Sequence, residues 1–326
     1  MANATDLVTE LPFVPFKQRN AAIDSLFYDT KALTPEELGR LSPLIDHEGS
    51  IVVVPPAASG RPIRRYRTAL RFMNREGGTV RAFVLAGVGS SVVGTAALAR
   101  NVADAIGADA AGVVTGYGVS DLVTEALGGW FVFGAADRLR LQWEALVRRA
   151  TTPLSEAAPT AEADASADAA PAPARPDAAG RLATGAPSLL PRPARPWELP
   201  GAADIDTLLD LLIAAPPGLD LLVGHSKGNL MIETVLRTFV DQLDGDPHPL
   251  FERLRIVTLG AVVGMPSEFP HVHQLIGELD WFGGMNSSLQ LPHRMVPNAW
   301  HHLNRCLPYH LDVGAALRDI GVAPDS

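Results

Sequence analysis

The stretch LDLLVGHSKGNLMIETVLRTFVDQL, residues 219–243, passes from an apolar run through Gly-x-Ser-x-Gly into a segment with helical spacing. Residues 219–224 suit a buried strand, and Met231, Val235, Phe239 and Leu243 recur every four residues, as on one helix face. Ser226 stands where the two join, and only a sharp, strained turn fits there. Gly224 and Gly228 lie two residues to either side, where any side chain would collide with the adjacent elements. The plain reading is a tight turn. The sharper one is an exposed serine oxygen acting as nucleophile, with the backbone N–H of Lys227 at a helix N-terminus, able to stabilise a developing oxyanion.

Working outward, VRAFVLAGV (80–88) reads as a buried strand and SVVGTAALARNVADAIG (91–107) as a helix. AAGVVTG (110–116) reads as a second strand. DIDTLLDLLIAA (204–215) is a helix opened by acidic residues, and LRIVTLGA (254–261), HVHQLIGEL (271–279) and HRMVPNA (293–299) are three further strands. Counted from Ala82, six strands alternate with helical patterns. That implies an α/β fold with a mainly parallel sheet covered by helices on both faces. IVVVPP at Ile51 reads as an early strand on the sheet's edge, and the segment before it as a helical arm. Residues 151–200 shift abruptly to Ala, Pro and small acids, with little to bury, and are expected to be a disordered linker. The expected organisation is an arm with an edge strand (1–79), the first part of the α/β domain (80–150), the linker (151–200) and the second part with the reactive residues (201–326).

The 326 residues are 47% hydrophobic, enough for a sizeable core, and carry a net charge of -9. Such a balance argues against nucleic-acid binding. Locally, Arg61, Arg64, Arg65, Arg67, Arg71 and Arg75 form a basic stripe. It reads either as a solvated helix face or as a surface for an acidic partner or an anionic membrane. Cys306 is the only cysteine, the N-terminus is unlike a secretory signal, and no run of about 18 apolar residues occurs. A soluble, cytoplasmic protein is the expectation.

The elbow GHSKG and the upstream VLAGVGSS resemble the α/β-hydrolase superfamily, and within it the lipase-like serine esterases, whose elbow often reads G-H-S-x-G. The likeness covers roughly residues 80–150 and 200–326. In that family the segment after the third strand commonly ends in His-Gly-x-Gly-Ser. By this match Val88 supplies a second oxyanion N–H beside Lys227, with Ala86 where the histidine usually stands. The resemblance implies a triad in the order Ser, acid, His. Asp280, past the end of strand 271–279, is the favoured acid, with Glu278 as competitor. The turn before His301 resembles the family's Gly-x-Gly-His, with Asn298 and Trp300 in place of the glycines. His301, His302 and His310 are all candidates for the base, His301 first.

Other chemistries fit less well. After Gly87-x-Gly89 comes Val92 where a dinucleotide fingerprint needs a small residue, so no nucleotide cofactor is expected. Six of the nine histidines fall between His271 and His310, but without H-E-x-x-H or a cysteine pair, and no metal is expected. The aromatic block YGVSDLVTEALGGWFVFGAADRLRLQW, from Tyr117, reads as core or a cap helix, or else as a lipid-facing surface. The expectation is therefore a cofactor-free serine esterase acting on a small-molecule ester or lipid with an apolar acyl part. The alternative is a non-catalytic hydrolase-like scaffold that binds a protein or membrane partner.

Overall fold

The computed structural model describes residues 24–41, 48–87, 90–115 and 203–324. The first twenty residues, Val88, the aromatic block from Tyr117 and the linker 151–200 lie outside the described residues. The strands are β1 (Ile51–Val54), β2 (Arg64–Tyr66), β3 (Ala82–Leu85), β4 (Ala110–Val113), β5 (Leu221–His225), β6 (Arg255–Leu259), β7 (Val272–Gly277) and β8 (Arg294–Val296). The α-helices are α1 (Pro35–Arg40), α2 (Ala69–Glu76), α3 (Val92–Ile106), α4 (Ala203–Ala214), α5 (Lys227–Leu243), α6 (Pro249–Arg253), α7 (Trp281–Met285) and α8 (Val313–Asp319).

All eight strands join one sheet in the order β2-β1-β4-β3-β5-β6-β7-β8. The six strands from β3 onward run parallel, and β1 is antiparallel to both of its neighbours. The alternation of side chains explains the continuous apolar strands. Val52, Val84, Leu221 and Val223 face one layer with α3 and α8, while Ile51, Val53, Phe83, Leu85 and Leu222 face the other with α2, α4 and α5. A strand buried on both faces is therefore apolar at most of its positions. Among the described residues no helix is long and apolar enough to cross a membrane.

Two expectations change. Ile51–Val54 is not the edge, because β2 pairs along its outer side with Ile51 opposite Tyr66 and Val53 opposite Arg64. The reason is burial: all four residues of β1 are buried, which an edge exposed to water would not provide, whereas the polar β2 tolerates that position. The arginine stripe is likewise not one solvated helix face. Arg64 to Tyr66 are strand, and only Arg71 and Arg75 belong to α2. Two of the six arginines are engaged by carboxylates. Arg64 donates to Glu76 at 2.6 Å and to Asp109 at 2.7 Å, and Arg61 donates to Asp109 at 3.0 Å.

Candidate active site

β5 delivers Ser226 to the carboxyl end of the sheet, immediately before α5 begins at Lys227. Ser226 has φ 59° and ψ -125°, a positive-φ conformation that a non-glycine residue rarely holds. Strain of that kind costs on the order of 1–3 kcal/mol and persists only where the surroundings over-determine it. Here they do. Ser226 N–H donates to Leu259 O at 2.9 Å, and the Asn229 side chain pins the first turn of α5 to Leu259 O and Ala261 O at 2.9 and 3.3 Å. Both elbow glycines are required by close approach. A Cβ on Gly228 would lie 2.4 Å from Leu85 O, and one on Gly224 would lie 2.3 Å from Asn229 Oδ1.

The chain brings three expected residues together. Ser226 Oγ lies 2.8 Å from His301 Nε2, and His301 Nδ1 lies 2.8 Å from Asp280 Oδ2. Because a carboxylate only accepts, Nδ1–H donates to Asp280, which leaves Nε2 as the acceptor for the serine O–H. Asp280 Oδ1 accepts from Gly283 N–H at 2.6 Å, so both carboxylate oxygens are engaged. Ser226, Asp280 and His301 are all buried, and the rings of Phe27 and Phe282 meet the imidazole edge-on. Such a relay can pass a proton from a hydroxyl to an imidazole whose orientation is already set.

The other candidates fall elsewhere. Glu278 is also past the end of β7, since that strand stops at Gly277 rather than Leu279. It is exposed, and it accepts from Asn298 N–H at 3.0 Å. His302 turns away and donates to Pro308 O at 3.0 Å, while His310 meets Leu307 O at 3.0 Å. Lys227 begins α5, and burial pushes its ammonium down to about 8, partly offset by Glu48. Val88 lies outside the described residues. Asn298 has φ 54°, which explains how asparagine, tolerant of the left-handed region, stands where the resemblance has glycine.

Sequence reasoning missed Tyr28, and it read His225 only as part of the elbow. His225 Nε2 lies 2.8 Å from His301 O, and the Tyr28 hydroxyl lies 2.8 Å from His225 Nδ1. Gly87 N–H donates to the same hydroxyl at 2.6 Å. Burial pushes the His225 imidazole down to about 3, so it is neutral near pH 7. Nothing in the primary structure signals a contact between residues 197 positions apart.

Among the described residues no group of three or more His, Cys, Asp or Glu could hold a metal ion. No protein-family model matches the chain, and neither the curated proteins nor the solved structures compared with it give a match.

Proposed function

We propose that the protein is a serine hydrolase of the α/β-hydrolase type that cleaves a carboxylic ester through an acyl-enzyme. The observation that carries this reading is the unbroken chain from Ser226 Oγ through His301 to Asp280, with both links at 2.8 Å, on a serine held at φ 59°. The strain supports a reactive role, because a serine needed only for a turn would have no reason to occupy that conformation.

In the proposed reaction Ser226 Oγ attacks the ester carbonyl carbon while His301 Nε2 takes its proton. The imidazolium formed is stabilised by Asp280, and the oxyanion accepts a hydrogen bond from Lys227 N–H. Collapse breaks the bond to the alkoxy oxygen, which leaves with the proton from Nε2. Water, deprotonated by the same nitrogen, then releases the acid and restores Ser226 Oγ–H. Val88 N–H is proposed as the second oxyanion donor on the family resemblance alone. An apolar acyl part is proposed for the substrate on the same ground.

A fluorophosphonate probe with a panel of nitrophenyl esters of graded chain length tests the reading. Labelling confined to Ser226 with turnover of at least one ester is expected. Absence of both would replace the enzyme with the non-catalytic scaffold.

A further inference from the structure

The segment from Asp24 to Asp29 lies outside the part of the chain that resembles a hydrolase, yet it touches each side of the candidate site. Asp24 Oδ2 accepts from Ser91 N–H and Gly94 N–H at 2.8 and 3.2 Å, holding the start of α3. Ser25 O accepts from the Asn304 side chain at 2.6 Å, and Phe27 O accepts from Leu303 N–H at 2.7 Å, holding the turn that carries His301. Tyr28 stands between these two anchorages.

The proton positions in that centre follow from chemistry. His301 O is a carbonyl and can only accept, so His225 Nε2 carries the hydrogen and donates to it. A neutral imidazole then has Nδ1 as an acceptor, so Tyr28 O–H donates to Nδ1 and its oxygen accepts from Gly87 N–H. Every link points the same way: Gly87 N–H to Tyr28, Tyr28 O–H to His225, and His225 N–H to His301 O. A chain so aligned strengthens each of its bonds. It joins the backbone just before Val88 to the backbone of the residue that would act as base.

We infer that Tyr28 is a positioning residue that sets the backbone of the His301 turn and of the Gly87 turn through His225; this rests on the serine-hydrolase reading. It does not touch substrate. In Tyr28→Phe, turnover should fall about tenfold or more with KM changed less than about threefold, because positioning acts on the transition state rather than on ground-state binding. His225→Gln, which keeps an N–H for His301 O and an acceptor for Tyr28, should retain most of the turnover, while His225→Leu should fall as far as Tyr28→Phe. Nitrogen NMR of the folded wild type should find His225 protonated at Nε2 alone. An active wild type whose Tyr28→Phe variant keeps full turnover overturns the positioning role, as does an Nδ1–H tautomer. An inactive and unlabelled wild type instead overturns the hydrolase reading.

The edge of the sheet carries a separate inference. Arg65, Arg67, Arg71 and Arg75, with Tyr66 and Asn74, line a concavity of about 440 Å³, and among the described residues no carboxylate belongs to its wall. Glu76 and Asp109 are engaged by Arg61 and Arg64, and Arg65 and Arg67 have interactions of their own. Arg71 and Arg75 stand four residues apart on α2, where like charges repel. An anion between them reverses that repulsion. Guanidinium groups match phosphate oxygens in pairs, and a net charge of -9 disfavours an extended polyanion such as nucleic acid.

We propose that this concavity binds a compact anion bearing two or more phosphate groups. Titration calorimetry with tripolyphosphate, orthophosphate, and vesicles of phosphatidylcholine with or without a phosphoinositide tests it, using wild type and Arg71→Gln/Arg75→Gln. Both exposed side chains can change without loss of fold, which a melting curve checks. Binding to tripolyphosphate or to phosphoinositide vesicles, weakened about tenfold or more in the double variant, is expected. A response to tripolyphosphate identifies a soluble ligand, and a response to the vesicles alone identifies a lipid headgroup. No binding to either, binding indifferent to the substitutions, or orthophosphate binding as tightly as tripolyphosphate would overturn the site.

Discussion

Asp280 and Asp109 are both almost fully buried, at 3% and 4% exposure, but at opposite ends of the sheet they keep different company. Asp109 meets two guanidinium groups, from Arg61 and Arg64. Asp280 meets an imidazole and one backbone N–H. A guanidinium never gives up its proton in a protein, so the charge at Asp109 is balanced permanently and the cluster ties β2 to the chain before β4. An imidazole can take up a proton and give it back, so the charge facing Asp280 can change during a reaction. Burial of a carboxylate alone therefore says little about function. Whether its partner can exchange a proton says more.

The comparison breaks most sharply at the serine. Ser226→Ala should lower turnover by roughly 10⁴–10⁶, with the melting temperature nearly unchanged, as read by ester kinetics and calorimetry. His301→Gln should approach that loss, because the members of such a set act as a unit, while His302→Gln and His310→Gln should stay within about tenfold of wild type. A collapse in His302→Gln with an active His301→Gln would reassign the base.

The two carboxylates should then separate activity from stability. Asp280→Asn is expected to reduce turnover on the order of 10⁴ with a modest loss of stability. Asp109→Asn should leave turnover near wild type and cost roughly 1–3 kcal/mol, since it strips partners from guanidinium groups that water still reaches. Denaturant titration and ester kinetics on both variants measure the crossing.

A third buried carboxyl sharpens the contrast, because among the described residues it is held by uncharged donors rather than by a cation. Burial pushes Asp24 up to about 7 from an ordinary 3.8, against the opposing hydrogen bonds from Ser91 and Gly94. A carboxyl with a raised folded pKa stabilises the fold fully below its unfolded pKa and loses that contribution as pH climbs through the folded one. The melting temperature should therefore decline by several degrees between about pH 4 and pH 7. Asp24→Asn should flatten that decline, and an unchanged slope would show that Asp24 is not its source. The smallest effect is expected at Arg61→Gln. Its side chain is 51% exposed and Arg64 remains on Asp109, so the loss should be below about 1 kcal/mol by denaturant titration.

The parallel strands and the elbow were legible because each rests on local pattern. Residues 221–223 and 256–257 are continuously apolar because both faces of the sheet are covered, and the two glycines flank Ser226 because Leu85 O and Asn229 leave no room for a Cβ. Period and steric punctuation are properties of neighbouring residues, so the primary structure carries them. It also placed Ser226, Asp280 and His301 among the candidates. Three matters needed the fold. The edge position went to β2 because only pairing partners reveal which apolar strand is covered on both sides. Glu278 and Asp280 share a face by alternation, but β7 ends at Gly277 and burial separates them. His301 and His302 are adjacent and chemically identical, and the direction of each ring depends on the backbone of the turn, which Asn298 at φ 54° and the Phe27–Leu303 bond set from outside. Tyr28 had no local signal at all. A hydrogen bond is decided by distance and direction in space, and chain entropy permits partners of any sequence separation once the core has brought them together.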